Sequence, residues 1–146
     1  MFELNTLLVP IDFSPTSRTA FERACKMVTG ANPVIIVHHV IDLWLSRSVA
    51  SLEMGTRDDV IATMRTRGAA ALAQLEQAPP EGIEVQSIIS EGVPFLEIIR
   101  KAEEFQVDAV VMGKFGQRGQ LEGLLLGTTA DRVTRGCTRP VIVLPI

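Results

Sequence analysis

The 146-residue sequence predicts an α/β fold built on a five-stranded parallel sheet with helices on both faces. Five short apolar, β-branched runs alternate along the chain with four segments of helical periodicity. Three of these runs are apolar at successive positions, as strands covered on both faces are. Strands that are joined through helices pair in parallel with right-handed crossovers, so the alternation itself selects this fold class.

The five predicted strands differ in how their apolar residues are spaced. The third run alternates polar and apolar residues, which is typical of an edge strand with one face in water. The strands are expected at Leu7–Pro10, Pro33–Val40, Ile83–Ile89, Val107–Met112 and Pro140–Leu144.

The predicted helices have recognisable ends. The first is expected to begin with Ser14 as its N-cap and Pro15 in its first turn, and to stop at Gly30. The last is expected to begin near Thr128 with Asp131 as its capping-box partner. This last helix should end at Gly136. Two further helices are expected at about Arg57–Glu76 and Pro94–Phe105. The segment Ile41–Thr56 should form a loop or a short helix over the site.

The length and composition fit one domain that spans residues 1–146. A formal net charge of −3 and dispersed Lys and Arg residues argue against nucleic acid as a partner. No apolar stretch approaches the roughly 20 residues of a membrane-spanning helix, and the first residues lack the features of a secretion signal. We therefore expect a cytoplasmic protein that binds neither membranes nor nucleic acid. Cys25 and Cys137 have no metal-ligand spacing and are expected to pack as small apolar residues.

A glycine pattern follows the fourth predicted strand. The apolar run ends at Gly113, Gly116 comes three residues later, and Gly127 precedes Thr128 and Thr129 at a helix start. Glycine lets backbone N–H groups turn toward an anion, and the helix start adds unpaired amides and the positive end of its dipole. The pattern predicts a phosphate-binding loop. The simpler alternative is that the glycines only turn the chain and the threonines only cap the helix.

Residues at the end of the first strand are expected to line the other side of this site. If the chain winds outward through strands two and three and then returns to place strand four beside strand one, Pro10 and Asp12 lie next to Gly113. Ligands bind at such points of reversal in open α/β sheets. Asp12 is therefore a candidate binding residue or, alternatively, a competitor of Ser14 for capping the first helix.

Two histidines stand in the second predicted strand, but a shared catalytic role is not expected. His38 and His39 occupy neighbouring strand positions, so their side chains point to opposite faces of the sheet. The chain has no nucleophile and base in recognisable spacing and no GxxxxGK[ST] loop. The sequence therefore predicts a binding protein rather than a fast ATPase.

The chain resembles the universal stress protein family along essentially its whole length. The resemblance implies a Rossmann-like sheet of order 3-2-1-4-5, as in the adenine nucleotide alpha hydrolases. It also implies ATP as the ligand and a homodimer that pairs through the last strand, Val141–Leu144. The similarity is carried by the glycines with their following threonine and by the segments Leu8–Ser14, Val37–Asp42, Glu91–Pro94 and Val107–Gly113.

Family roles can be carried over to matching residues of this chain. The resemblance implies that Pro10, Asp12 and Val40 border the adenine. Mg²⁺ or Mn²⁺ could accompany the phosphates of the ATP. The ribose and the phosphates would be held by Gly113, Gly116, Gly127 and Thr128, with Thr129 beside them and Gly92 as a lesser candidate.

The chain departs from the family pattern in the glycine loop. Ten residues, Gln117–Leu126, separate Gly116 from Gly127, one more than nucleotide-binding members usually have, as though Gln120 were inserted. Lys114 and Phe115 replace a small residue and a histidine. Three functions are consistent with this pattern. We favour a stress-response ATP-binding regulatory module over a dimeric interaction protein without nucleotide, and over a slow nucleotide-hydrolysing enzyme.

Overall fold

The computed structural model describes residues 2–51, 56–115 and 126–146, which form five strands and five helices. Of the two alternatives for the segment after the second strand, a loop or a short helix, the structure shows a short helix at Leu43–Ser51. In chain order the elements are β1 Thr6–Pro10, α1 Pro15–Met27, β2 Val34–Asp42, α2 Leu43–Ser51, α3 Arg57–Gln77, β3 Glu84–Gly92, α4 Pro94–Glu104, β4 Ala109–Gly113, α5 Thr128–Gly136 and β5 Val141–Leu144.

The strands form one parallel sheet in the order β3-β2-β1-β4-β5. This result confirms the predicted fold class and the predicted order 3-2-1-4-5. The chain winds from β1 outward to β3 and then returns to place β4 on the free side of β1. The winding direction therefore reverses between β1 and β4, and β3 and β5 form the two edges.

Two apolar cores lie on opposite faces of the sheet. Side chains alternate between the faces along each strand, so neighbouring residues enter different cores. Helices α1 and α3 cover one face, and α4 and α5 cover the other. The first core includes Leu7, Val9, Ile35, Val37, Ala20, Phe21, Ala24 and Leu72, and the second includes Leu8, Ile36, Val110, Met112, Ile98, Ala102, Ala130 and Val133.

Helix α1 begins as predicted but ends earlier than predicted. The hydroxyl of Ser14 accepts a hydrogen bond from the backbone N–H of Ser17 at 3.1 Å, which is an N-cap. The expected stop at Gly30 is wrong, because Val28 is already extended after the last helical residue, Met27. The backbone N–H of Thr29 donates to the Leu4 carbonyl at 3.0 Å, so the chain leaves the helix to lie beside the residues before β1.

Helix α5 starts at Thr128, but the predicted capping box is wrong. Gly127 is the N-cap and supplies no side-chain hydrogen bond. The reason is tertiary, since the Gly127 N–H donates to the Lys114 carbonyl at 2.8 Å and so fixes where the helix begins. The carboxylate of Asp131 instead pairs with Arg135 at 3.0 Å on the helix surface.

Two further expectations concern membrane-spanning helices and the cysteines. Among the described residues, no helix combines the length and the apolarity that crossing a bilayer requires. Cys25 and Cys137 are unpaired thiols that pack at the margins of the two cores, as predicted.

Candidate functional site

The strands β1 and β4 are joined at their amino ends. Asp108, just before β4, accepts hydrogen bonds from the backbone N–H groups of Asn5 at 2.9 Å and Thr6 at 2.8 Å. Pairing between the two strands then covers Leu7 and Leu8, whereas the ladder between β1 and β2 covers all five residues of β1. The seam between β1 and β4 is therefore closed at one end of the sheet.

At the carboxyl end of the sheet, β1 and β4 are no longer paired with each other. Each is hydrogen-bonded to its other neighbour, β1 to β2 and β4 to β5. The Ile11 N–H donates to the His38 carbonyl at 2.8 Å, which continues the contact between β1 and β2. The Lys114 N–H donates to the Leu144 carbonyl at 2.8 Å, which continues the contact between β4 and β5. A crevice between β1 and β4 follows at the point where the winding reverses, the usual position of a ligand in such sheets.

Two of the three residues expected around the adenine, Pro10 and Val40, share one face of the sheet. Pro10 lies two positions after Leu8, so it faces the side of α4 and α5, and it is paired with His38. Val40, two positions after His38, packs against the same core as Met112. Pro10 and Val40 thus lie on the same side of the sheet as the start of α5.

Asp12 lies in the turn between β1 and α1. Its Oδ1 accepts hydrogen bonds from the backbone N–H of Ser14 at 3.0 Å and from the Ser14 hydroxyl at 2.5 Å. Ser14 in turn caps α1, so the alternative in which Asp12 caps the helix itself is wrong. Asp12 instead orients the capping residue, and this arrangement fixes the carboxylate at the edge of the crevice.

The start of α5 offers backbone donors. The first hydrogen bond of the helix runs from the Asp131 N–H to the Gly127 carbonyl at 2.9 Å. The N–H groups of Thr128, Thr129 and Ala130 therefore have no partner inside the helix, and they lie at the positive end of its dipole. Thr128 is exposed and Thr129 is half-buried. Such a helix start is suited to an anion such as a phosphate.

The glycine loop is closed at its base by the bond between Gly127 and Lys114. Gly116 and the insertion at Gln120 lie outside the described residues, and the predictions for both remain predictions. At the start of the loop, the Lys114 ammonium lies 5.5 Å from the centre of the Phe115 ring. Within the described ranges, no group of His, Cys, Asp or Glu side chains is arranged to hold a metal ion.

Gly113 has a packing role that its neighbours in the sequence do not indicate. An added Cβ at Gly113 would lie 2.2 Å from Cγ2 of Thr16, in the first turn of α1. That Cβ would point to the α1 face, because Ala109 and Val111 of the same strand do so. The missing side chain therefore admits α1, and any nucleotide contact of Gly113 would come from its backbone. The sequence carried no local signal for this contact, because Thr16 is distant in the chain.

His38 is a buried and neutral histidine on the crevice face. Its side chain is 1% exposed, and its Nε2 shares a hydrogen bond of 2.7 Å with the Ser90 hydroxyl. Burial lowers the pKa of His38 to about 4, although the nearby Glu97 carboxylate opposes this effect. Glu97 is itself 6% exposed and is paired with Arg100.

The pKa of His38 predicts a loss of stability in mild acid. The unfolded chain takes up a proton near pH 6.5, whereas the folded protein resists it down to about pH 4. Stability is therefore complete above about pH 6.5, and roughly 3 kcal/mol is lost as the pH falls to about 4. Urea unfolding across this range should show a loss of stability in the wild type that is smaller by about this amount in the His38→Leu, Ser90→Ala double variant, which retains His39. If the free energy of unfolding fell equally with pH in the two proteins, the lowered pKa of His38 would be contradicted.

His39 occupies the opposite face, which confirms that the two histidines share no site. Its Nδ1 donates to the Ile11 carbonyl at 2.7 Å, which fixes the proton on that nitrogen. Burial lowers the pKa of His39 as well. Both imidazoles are thus engaged in structural hydrogen bonds and are neutral near pH 7.

Comparisons with known proteins agree with this geometry. The model of the universal stress protein family matches residues 3–145 of the chain. Universal stress protein MJ0531 of Methanocaldococcus jannaschii is 30% identical over 139 residues, which cover 94% of this chain and 80% of that protein.

Solved structures share the same fold. The structure of MJ0577 from the same organism, which served to assign a biochemical function, superposes with a TM-score of 0.85 at 26% identity. The superposition covers 97% of this chain and 96% of that one. A universal stress protein from Archaeoglobus fulgidus in complex with dAMP superposes with a TM-score of 0.63 at 19% identity, over 99% and 100% of the two chains.

Proposed function

The chain belongs to the universal stress protein family, and from this premise we propose that the crevice between β1 and β4 binds an adenine nucleotide, with ATP as the ligand. The observation that carries the proposal is the start of α5. Three N–H groups without a partner inside the helix lie there, on the same face as Pro10 and Val40. A relative of the same fold holds dAMP, which supports an adenine nucleotide as the ligand class.

Each candidate residue has a distinct role in this proposal. Pro10 and Val40 provide the apolar surface for the adenine, and the Asp12 carboxylate lies at the base or the ribose. The phosphates lie against Gly127, Thr128 and Thr129 and against Gly113 and Gly116. Any Mg²⁺ or Mn²⁺ in the site would be bound to the phosphates.

A regulatory role in the cytoplasm fits the site better than catalysis does. His38 and His39 are both engaged in hydrogen bonds, to the Ser90 hydroxyl and the Ile11 carbonyl respectively, so neither is placed to activate water. Binding of the nucleotide would join β1, β4 and α5 through a common ligand. Occupancy of the crevice by ATP would then alter the surface that this protein presents under stress.

Calorimetric titration with ATP, with and without Mg²⁺, tests the proposal. The wild-type protein should bind one nucleotide per chain, and ATP at 100 times its dissociation constant should add about 2.7 kcal/mol to the free energy of unfolding. Adenosine should bind more weakly, because it lacks the phosphates that the start of α5 would hold. Absence of both heat and thermal stabilisation at millimolar ATP would favour the interaction protein without nucleotide. Phosphate release that falls in Asp12→Ala would instead favour the slow enzyme.

We also propose that the protein is a homodimer that pairs through β5. This strand is an edge of the sheet, and its Val141–Leu144 backbone has β4 on one side and, among the described residues, no strand paired on the other, where a second copy could add. Light scattering at micromolar concentration should give twice the mass of one chain. Val143→Pro should shift the protein toward the monomer, and a wild-type protein that is already monomeric would refute the dimer.

A further inference from the structure

The turn that carries Asp12 contains a strained residue. Phe13, immediately after Asp12, has a φ of 64°, a left-handed conformation that bulky residues rarely adopt. Phe13 is 42% exposed, so burial in a core does not impose this conformation. Backbone strain of this kind costs about 1–3 kcal/mol and persists where neighbouring contacts hold it.

His39 contacts this turn on both sides of Asp12. Its Nδ1 donates to the carbonyl of Ile11, the residue before Asp12, at 2.7 Å. Its ring lies against the ring of Phe13, the residue after Asp12, with the two ring centres 4.4 Å apart and the planes tilted by 42°. One imidazole therefore holds the two neighbours of the candidate carboxylate.

Helix α3 supports the imidazole from behind. A Cβ added at Gly68 would lie 3.1 Å from Cδ2 of His39, closer than most such contacts, so the glycine allows the helix and the ring to approach. Gly68 is buried in the middle of α3, where glycine costs about 1 kcal/mol relative to alanine. The ring is thus held between α3 and the turn, and it has little freedom to move.

We propose that His39 is a positioning residue for the nucleotide site, which fixes the Asp12 carboxylate from the face opposite to the crevice. His39 does not touch the ligand in this proposal, because its side chain points to the face of α1 and α3. It acts through its hydrogen bond to the Ile11 carbonyl, while its ring packs against Phe13. The inference rests on the proposed binding of ATP, and it adds a residue that determines the affinity without contacting the nucleotide.

Two substitutions separate the hydrogen bond from the ring contact. His39→Phe keeps an aromatic ring but removes the donor, whereas His39→Asn keeps an N–H at the position of Nδ1 and removes the ring. We expect the affinity for ATP to fall about tenfold or more in His39→Phe and to stay within about threefold in His39→Asn, since tenfold equals the worth of one hydrogen bond. A merely structural role would not produce this rescue by Asn.

Hydrogen exchange tests the same inference without nucleotide. The Ser14 amide donates to Asp12 and reports the order of the turn. Its exchange should be about tenfold faster in His39→Phe than in the wild type or in His39→Asn. Leu72→Ala is the control, because Leu72 of α3 is a fully buried residue of the core on this face and takes part in neither the hydrogen bond to the Ile11 carbonyl nor the ring contact with Phe13. This variant should lose stability and keep both the affinity for ATP and the exchange rate.

The outcomes distinguish the two proposals. A wild-type protein that binds no ATP would refute the proposed function, while the exchange rates would still show whether His39 holds the turn. Equal ATP affinities in the wild type and His39→Phe would overturn the positioning role. An unchanged Ser14 exchange rate in His39→Phe would overturn it as well.

Discussion

Thr128→Asp is expected to abolish ATP binding while it leaves the fold intact. Thr128 is exposed at the first position of α5, so the new carboxylate would face water and not the core. A negative charge at a helix N-terminus stabilises the helix by about 0.3–1 kcal/mol. The same charge would repel each phosphate charge about 5 Å away by roughly 3 kcal/mol at an effective dielectric constant near 20, which is more than a hundredfold in affinity.

The matched control for this prediction is Thr128→Asn. Asparagine has nearly the same shape as aspartate but no charge, so the affinity for ATP should stay within about threefold of the wild-type value. Calorimetry gives the affinities, and thermal unfolding without nucleotide shows that both variants are folded. If ATP binds equally well to the Asp and the Asn variants, the phosphates do not lie at the start of α5, and the assignment of Thr128 and Thr129 fails.

Gly113→Ala is expected to destabilise the protein and to weaken ATP binding. The added Cβ would lie 2.2 Å from Cγ2 of Thr16, so one of the two must move. Thr16 has little room to yield, because its χ1 is restricted by β-branching and the start of α1 is fixed by the Ser14 cap. Overpacking of this kind costs about 1–3 kcal/mol, and a displaced α1 would also move the turn at Asp12. Urea unfolding and calorimetry measure the two effects.

A second substitution tests whether this effect is packing alone. Thr16→Ser removes the Cγ2 methyl group that meets the new Cβ, so the Gly113→Ala, Thr16→Ser double variant should recover most of the lost stability. The ATP affinity should recover with it, because a Cβ at position 113 points toward α1 and away from the crevice. Stability that returns without affinity would instead mean that the nucleotide itself needs the space at Gly113. Thr16→Ser alone is measured as well, so that the wild type, the two single variants and the double variant form a double-mutant cycle.

Most of the fold could be predicted from the sequence, because its signals are local. The apolar runs and the helical periodicity identify the strands and helices, and Ser14 with Pro15 identifies the start of α1. The predicted end of α1 at Gly30 failed, since a contact between Thr29 and Leu4 releases the chain earlier. The capping box of α5 failed for a similar reason, because Lys114 fixes Gly127 as the N-cap. Each error arose where a distant backbone group competed with a local preference.

The candidate site was less predictable than the fold. The sequence identified Pro10, Asp12 and the glycines as residue types suited to a nucleotide, and the strand order then brought two distant segments to one end of the sheet. It gave no sign of the contact between Gly113 and Thr16. It also gave no sign that His39 holds the turn around Asp12, because that contact joins β2 to the end of β1 and to α3.

The sequence by itself determined the fold class, the order of the elements and the chemistry available at the crevice, because periodicity, capping residues and glycines act over a few neighbouring positions. The tertiary structure alone decided why position 113 must be glycine, where α5 begins, and how a left-handed Phe13 is held beside Asp12. These features depend on steric exclusion and hydrogen bonds between segments that are far apart in the chain, and no local pattern of residues encodes them.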